Sequence, residues 1–204
     1  MPHHADSSLV PQSIKTKTEF WEHVYSQLVP LLEGQRNWVT NLANASSLIY
    51  NSLLAFPAYF GPDQSKAVNW AGFYILSHLF PLPRGTPASD ATNDHKQLLL
   101  GPFSGKPACQ FINVHPKPKG VCADSYNQRK TLVVPEVDLY PGHIACDGDT
   151  KSEIVIPLIV QRDDGTEEAV GVLDLDCLAV GGFDAEDEVG LSKITKLVVD
   201  ACDW

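Results

Sequence analysis

No apolar run in this sequence reaches the roughly 18 residues that a membrane-spanning helix needs, so no transmembrane segment is expected. The first residues, MPHHADSSLVPQSIK, lack an apolar signal core, and secretion is not expected either. Basic residues are in deficit. Fifteen Lys and Arg stand against 25 Asp and Glu, a net charge of −10. Such a surface repels phosphate, which argues against nonspecific nucleic-acid or anionic-membrane binding. No two cysteines have C-x-x-C spacing, so a zinc ribbon or a thioredoxin-type motif has no support, and no metal site is expected. The cysteines number five, an odd count that argues against a structural disulfide framework and leaves thiol chemistry open. Repeats and long linkers are also missing, and nothing divides the 204 residues into two domains.

What is present reads as one folded domain. Hydrophobic residues make up 44% and charged residues 20%, ordinary for a globular chain and far from a disordered one. Residues 1–15 read as a flexible polar tail and residues 16–204 as the domain. Thr16 and Glu19 form a capping box before Phe20, Trp21, Val24, Tyr25 and Leu28 at helical spacing, and Pro30 predicts an end or kink. Asn37 caps a second helix with Leu42, Ala45, Ile49 and Leu53 on one stripe. Strands are predicted over 69–76, 97–100, 108–114, 131–134, 152–160 and 169–175, with a short helical turn over 120–127 and a long surface turn over 81–94. Asp184 caps a last helix. Short strands without regular βαβ alternation predict an α+β fold with a mainly antiparallel sheet. The terminal helices would cover one face, and loops over the other would roof a pocket.

Three cysteines lie in the loop-rich centre: Cys109, Cys122 and Cys146, separated by 12 and 23 residues. Cys146 sits in the polar loop Gly142-His143-Ile144-Ala145-Cys146-Asp147, where a thiol is accessible; His143 favours its thiolate and Asp147 opposes it. Cys122 is loop-like or helix-initiating. Cys109 reads as a buried thiol in an apolar strand, and Cys177 and Cys202 as packing residues. In Gly171-Val172-Leu173-Asp174-Leu175-Asp176, alternation puts Asp174 and Asp176 on one strand face, roughly 6–7 Å apart at Cα. Glu153 opens the preceding strand, and a hairpin would bring it to Asp176. Crowded carboxylates repel, one pKa rises, and the protonated member can donate a proton while the other holds a cation. Trp70 and Tyr74 share one strand face, as core or as an aromatic wall for a methyl or cationic group.

Over about Phe20 to Val199 the chain resembles the free methionine-(R)-sulfoxide reductases, a family built on a GAF domain. The resemblance is carried by Asn69-Trp70-Ala71-Gly72-Phe73-Tyr74, Leu100-Gly101-Pro102-Phe103-Ser104-Gly105-Lys106-Pro107-Ala108-Cys109, Gly120-Val121-Cys122, the GHIACD segment at 142–147, Ser152-Glu153-Ile154-Val155-Ile156-Pro157-Leu158 and Gly171–Asp176. Gly-Val-Leu-Asp alone fits many GAF domains, whereas the three spaced cysteines together with GHIACD are specific.

The resemblance implies a GAF-like single domain and reduction of the R-sulfoxide of free methionine. Cys146 would be the nucleophile and become a sulfenic acid. Cys122 would resolve it as a disulfide, with Cys109 in an alternative or later exchange, and thioredoxin would restore the thiols as an external reductant, with no bound cofactor. Trp70 and Tyr74 would wall the substrate methyl group. Backbone N–H groups near Ile144 and Ala145 would take its carboxylate, and Glu153, Asp174 and Asp176 its ammonium and leaving oxygen. A homodimer through terminal helices is a family-level expectation. Missing signals and the need for reduced thiols point to the cytoplasm, with a nuclear share left open. The alternative is a noncatalytic GAF sensor of a small molecule or of redox state, which turnover would separate from an enzyme.

Overall fold

The computed structural model describes residues 6, 10–63, 65–81, 96–144 and 147–204. Chain entry into α1 (Lys17–Leu32) is fixed by the expected capping box: the Thr16 hydroxyl accepts from the Glu19 N–H at 3.2 Å, and the Glu19 carboxylate accepts from the Thr16 N–H at 3.0 Å. The apolar stripe Phe20, Trp21, Val24, Leu28 and Leu32 is buried. The helix ends at Leu32, just past Pro30 and close to the expected boundary. The missing N–H falls in the last turn, where one bond is lost, and burial of Leu32 holds the turn in place. In α2 (Trp38–Leu54) the Asn37 side chain accepts from the Thr40 N–H, and Leu42, Ala45, Ile49 and Leu53 are fully buried.

Six strands follow: β1 (Val68–Leu76), β2 (Lys96–Gly105), β3 (Phe111–His115), β4 (Leu132–Val134), β5 (Ser152–Gln161) and β6 (Glu167–Cys177). They form one sheet in the order β3-β2-β1-β6-β5-β4, with every neighbouring pair antiparallel. Between β3 and β4 lies α3 (Val121–Gln128), and α4 (Ala185–Asp200) closes the chain with Asp184 as its cap. The architecture is an α+β single domain, as expected.

Two strand boundaries differ from the sequence expectation by three residues or more. β2 runs on from Leu100 to Gly105 because Gly101 and Pro102 form a bulge: Gly72 pairs with Phe103 and Tyr74 with Leu100, so two β2 residues oppose Phe73. A proline has no N–H to give a ladder, and a bulge asks for none. β3 begins at Phe111 and not at Ala108, because the Cys109 carbonyl is taken by the Tyr74 hydroxyl at 3.0 Å instead of by a neighbouring strand.

Strand alternation divides the side chains between two cores. Leu173 and Leu175 of β6 join Phe73 and Ile75 of β1 and Ile154 and Ile156 of β5 beneath α1, α2 and α4. Each such aliphatic side chain contributes about 1.5–3 kcal/mol on burial. Gly190 lets α4 approach α1, since a Cβ there would stand 2.3 Å from Trp21 Cγ. The same contact is tied by Asp187, which accepts from the Trp21 indole at 2.9 Å and pairs with the buried Lys17 at 2.5 Å. On the opposite face, α3 packs Val121, Cys122 and Ala123 against a smaller cluster that includes Trp70, Tyr74, Val155 and Val172. Within the stretch expected to be a flexible tail, Val10 and Ile14 pack against the helix-side core. The long surface turn expected at 81–94 lies, beyond Pro81, outside the described residues.

Candidate active site

Strand register assembles the site on the α3 face. Trp70 of β1 pairs with Asp176 of β6, which pairs in turn with Glu153 of β5, so these three stand in one row across the sheet. In the next row Gly72, Asp174 and Val155 are aligned. Directly opposed residues point to the same face, so all three carboxylates converge there. The expected approach of Glu153 to Asp176 is therefore realised. Glu153 and Asp174 are buried, at 5% and 7% exposure.

Cys122 comes down on this floor from the first turn of α3. Its thiol donates to Asp174 Oδ2 at 3.4 Å and lies 3.9 Å from Glu153 Oε1. Among the described residues no hydrogen-bond donor reaches Asp174 Oδ1. From the loop after β4, His143 places Nε2 at 3.4 Å from Glu153 Oε2. The aromatic wall is formed by Trp70 and Tyr74, stacked at 5.8 Å, and Phe103 of β2 backs Trp70 at 5.5 Å. A cavity of about 200 Å³ opens between this wall, the carboxylates and the loop at His143 and Ile144. It accommodates a small amino acid.

The electrostatics follow from crowding. Burial, then Glu153, holds the Asp174 and Asp176 carboxyls well above the usual carboxylate range, and Asp176 adds to the effect on Asp174. Burial, then the charges of Asp174 and Glu153, pushes the Cys122 thiol well up. The Tyr74 phenol is raised in the same way, by burial and then by Asp174. The floor thus keeps its protons to a higher pH than exposed carboxyls do. Asp147 behaves oppositely: its hydrogen bond from Lys106 holds its carboxyl below the usual range.

Of the residues singled out in the sequence, Trp70, Tyr74, Cys109, Cys122, Ile144, Glu153, Asp174 and Asp176 all line this cavity. Ala145 and Cys146 lie outside the described residues. Cys109 is not in a strand but in the β2–β3 connection, half-buried and disulfide-bonded. Cys122, Cys177 and Cys202 are free thiols. Cys177 packs in the helix-side core, where its thiol meets the Lys66 carbonyl, and Cys202 is buried against Asn41. Among the described residues, Cys122, Glu153 and Asp174 form one group with metal-ligating side chains within 4.8 Å of one another.

One feature was not legible in the sequence. Lys106, just past β2, pairs with Asp147 at 3.0 Å and Asp149 at 3.2 Å. Asn69, at the start of β1, donates to Asp147 and to Thr150, each at 3.1 Å. Together they tie the segment after Cys146 to the sheet and offset the charge of Asp147. These partners are about 40 and 80 residues apart in the chain, a separation that no local periodicity reports.

No protein-family model matches the chain. The free methionine-R-sulfoxide reductase of Saccharomyces cerevisiae is 42% identical over 98% of this chain and 94% of its own length. A solved structure described as a GAF domain superposes with a TM-score of 0.75 at 41% identity, covering 100% of this chain and 98% of the other. The free methionine-R-sulfoxide reductase of Neisseria meningitidis, solved in complex with its substrate, gives a TM-score of 0.70 at 29% identity over 95% of both chains.

Proposed function

The chain belongs to the free methionine-R-sulfoxide reductases, and from that premise we propose that it reduces free L-methionine (R)-sulfoxide through Cys146, with thioredoxin as the final donor. The observation that carries the reading is the pairing of a buried, crowded carboxyl floor with a stacked aromatic wall across a cavity sized for one amino acid.

Sulfoxide oxygen is a poor leaving group until it is protonated. The Cys146 thiolate attacks the sulfoxide sulfur while Asp174 or Asp176 gives its proton to the oxygen. The hydroxyl passes to the Cys146 sulfur, methionine leaves as the thioether, and Cys146 is left as a sulfenic acid. Such proton donation contributes about 10²–10⁴-fold. The Trp70 and Tyr74 rings take the methyl group, and the carboxylate charge that remains on the floor takes the substrate ammonium. Peptide-bound methionine has no ammonium to offer.

A second thiol condenses with the sulfenic acid, forming a disulfide and releasing water. We place Cys109 in that step because it stands in a disulfide, whereas the Cys122 thiol is buried, held by Asp174 and raised in pKa, which suppresses the attacking thiolate. Cys122 then serves the later exchange toward thioredoxin. A dithiol donor supplies the two electrons that close the cycle.

The test is steady-state turnover with thioredoxin, its reductase and free methionine-(R)-sulfoxide, beside the S-epimer and an N-acetylated R-sulfoxide. The expected result is turnover of the free R-sulfoxide alone. Equal turnover of the N-acetylated compound would overturn ammonium recognition, and absence of any turnover would overturn the reaction.

A further inference from the structure

Cys122, Glu153 and Asp174 come from three elements, α3, β5 and β6, and meet at the buried end of the cavity. Their contacts have the dimensions of a tetrahedral coordination shell. Bonds of about 2.3 Å to sulfur and 2.0–2.2 Å to oxygen put neighbouring donor atoms roughly 3.4–3.7 Å apart. The Cys122 sulfur lies 3.4 Å from Asp174 Oδ2 and 3.9 Å from Glu153 Oε1. His143 Nε2 meets the other oxygen of Glu153, Oε2, at 3.4 Å and stands outside the trio, so the remaining coordination position is left for water.

The cluster does not satisfy itself. One thiol hydrogen faces two carboxyl groups, and among the described residues no N–H or O–H donor reaches Asp174 Oδ1 on a side chain only 7% exposed, so a proton shared with Glu153 or a bound cation must satisfy it. A buried polar atom left in this way marks a place for a bound group. Positive charge suits it, since every donor of the trio is a potential anion. The sulfur donor selects a borderline-soft cation over magnesium or calcium. The donors are also held in place: Glu153 and Asp174 by the β5–β6 ladder, and Cys122 by the packing of α3.

We propose that the floor of the cavity binds one thiophilic divalent cation, of the zinc type, through Cys122, Glu153 and Asp174, and that this binding excludes the amino-acid substrate. The cation is an inhibitor and not a cofactor, because it occupies the carboxyl groups that the reduction needs. The exclusion of substrate rests on the function proposed above; the binding of the cation does not.

The experiment uses the full chain with its disulfide intact and no reductant, so that Cys109 is withdrawn as a ligand. Cobalt(II) is titrated as a spectroscopic probe, and zinc is then added to displace it. One equivalent of cobalt with a near-ultraviolet sulfur-to-metal charge-transfer band is expected. Cys122→Ser should lose the band, and Asp174→Asn should weaken binding by about 10-fold or more. Zinc should raise the apparent Kd of methionine-(R)-sulfoxide in proportion to its concentration. No band in the unmodified protein, or the same band in Cys122→Ser, overturns the site. Sulfoxide binding unchanged at saturating zinc overturns the exclusion. Turnover of the metal-free enzyme reads the proposed reaction separately.

Discussion

Glu153 and Asp176 stand directly opposite each other across the β5–β6 ladder, two acids at one register position. Like charges so placed repel, and the fold tolerates them by keeping protons on the floor. The Asp174 and Asp176 carboxyls are held well above their usual value of 3.8, by burial first and by Glu153 next. Between 3.8 and the raised values the folded chain binds protons that the unfolded chain has released, so stability falls as pH rises through that window. Asp176→Asn removes one titrating group. It is expected to flatten the decline and to raise stability at neutral pH, while lowering kcat/KM by about 10²–10⁴-fold through loss of a proton donor. Urea unfolding between pH 5 and 8, beside turnover, checks both; an unaltered pH slope would show that Asp176 does not titrate in that range.

The thiols divide by environment. Cys122 is buried against Asp174, whereas Cys109 is half-buried and disulfide-bonded. In a single-turnover assay without donor, Cys122→Ser should still form one methionine per chain together with a disulfide, and should slow only the thioredoxin-driven cycle. Cys109→Ser should form the same single methionine but leave a sulfenic acid that dimedone traps. A trapped sulfenic acid in Cys122→Ser instead would exchange the two roles.

Lys106 holds Asp147, next in sequence to Cys146, at 3.0 Å. Lys106→Met removes that tether and leaves Asn69 and Thr150 to position the segment. Misplacing a reacting group by about 1 Å can cost up to about 100-fold, so a loss of that order in kcat/KM is expected. The exposed side of the pair is open to salt, and the wild-type rate should fall partway toward the variant's rate as ionic strength rises. A variant as active as the parent, with no salt effect in either, would reduce this pair to surface charge.

Local chemistry carries what the sequence reveals here. Thr16, Asn37 and Asp184 announce their helices because a cap is a contact three residues long. The alternation of Asp174 and Asp176 fixes their shared face, and the Asp164-Gly165 turn sets the hairpin that brings Glu153 to them. Gly101 and Pro102 read as the end of a strand because the bulge that absorbs them is created by pairing with β1, which is a tertiary fact. The descent of Cys122 onto Asp174 joins residues 52 apart and needs the sheet to be built first.

Gly72 offers a test of the aromatic wall that leaves every polar group in place. It stands beside Asp174 in the β1–β6 register, between the rings of Trp70 and Phe103. A Cβ on residue 72 would lie 2.3 Å from Phe103 Cβ, 2.5 Å from Trp70 Cη2 and 2.9 Å from the Phe103 backbone. Phe103 is paired directly to Gly72 in the ladder, so the added carbon strains that pairing and displaces the indole as well. Trp70 itself bounds the cavity, and its displacement changes the surface that meets the substrate methyl group. Gly72→Ala is therefore expected to cost about 1–3 kcal/mol of stability by overpacking. It should raise KM for methionine sulfoxide more than it lowers kcat, since the proton donors and thiols are untouched. Trp70→Phe removes the contact with Cη2 and leaves the one with Phe103, so adding it to Gly72→Ala should recover part of the lost stability. If the double variant is as unstable as the sum of the two single ones, the strain lies in the Phe103 backbone and the wall is not what Gly72 protects.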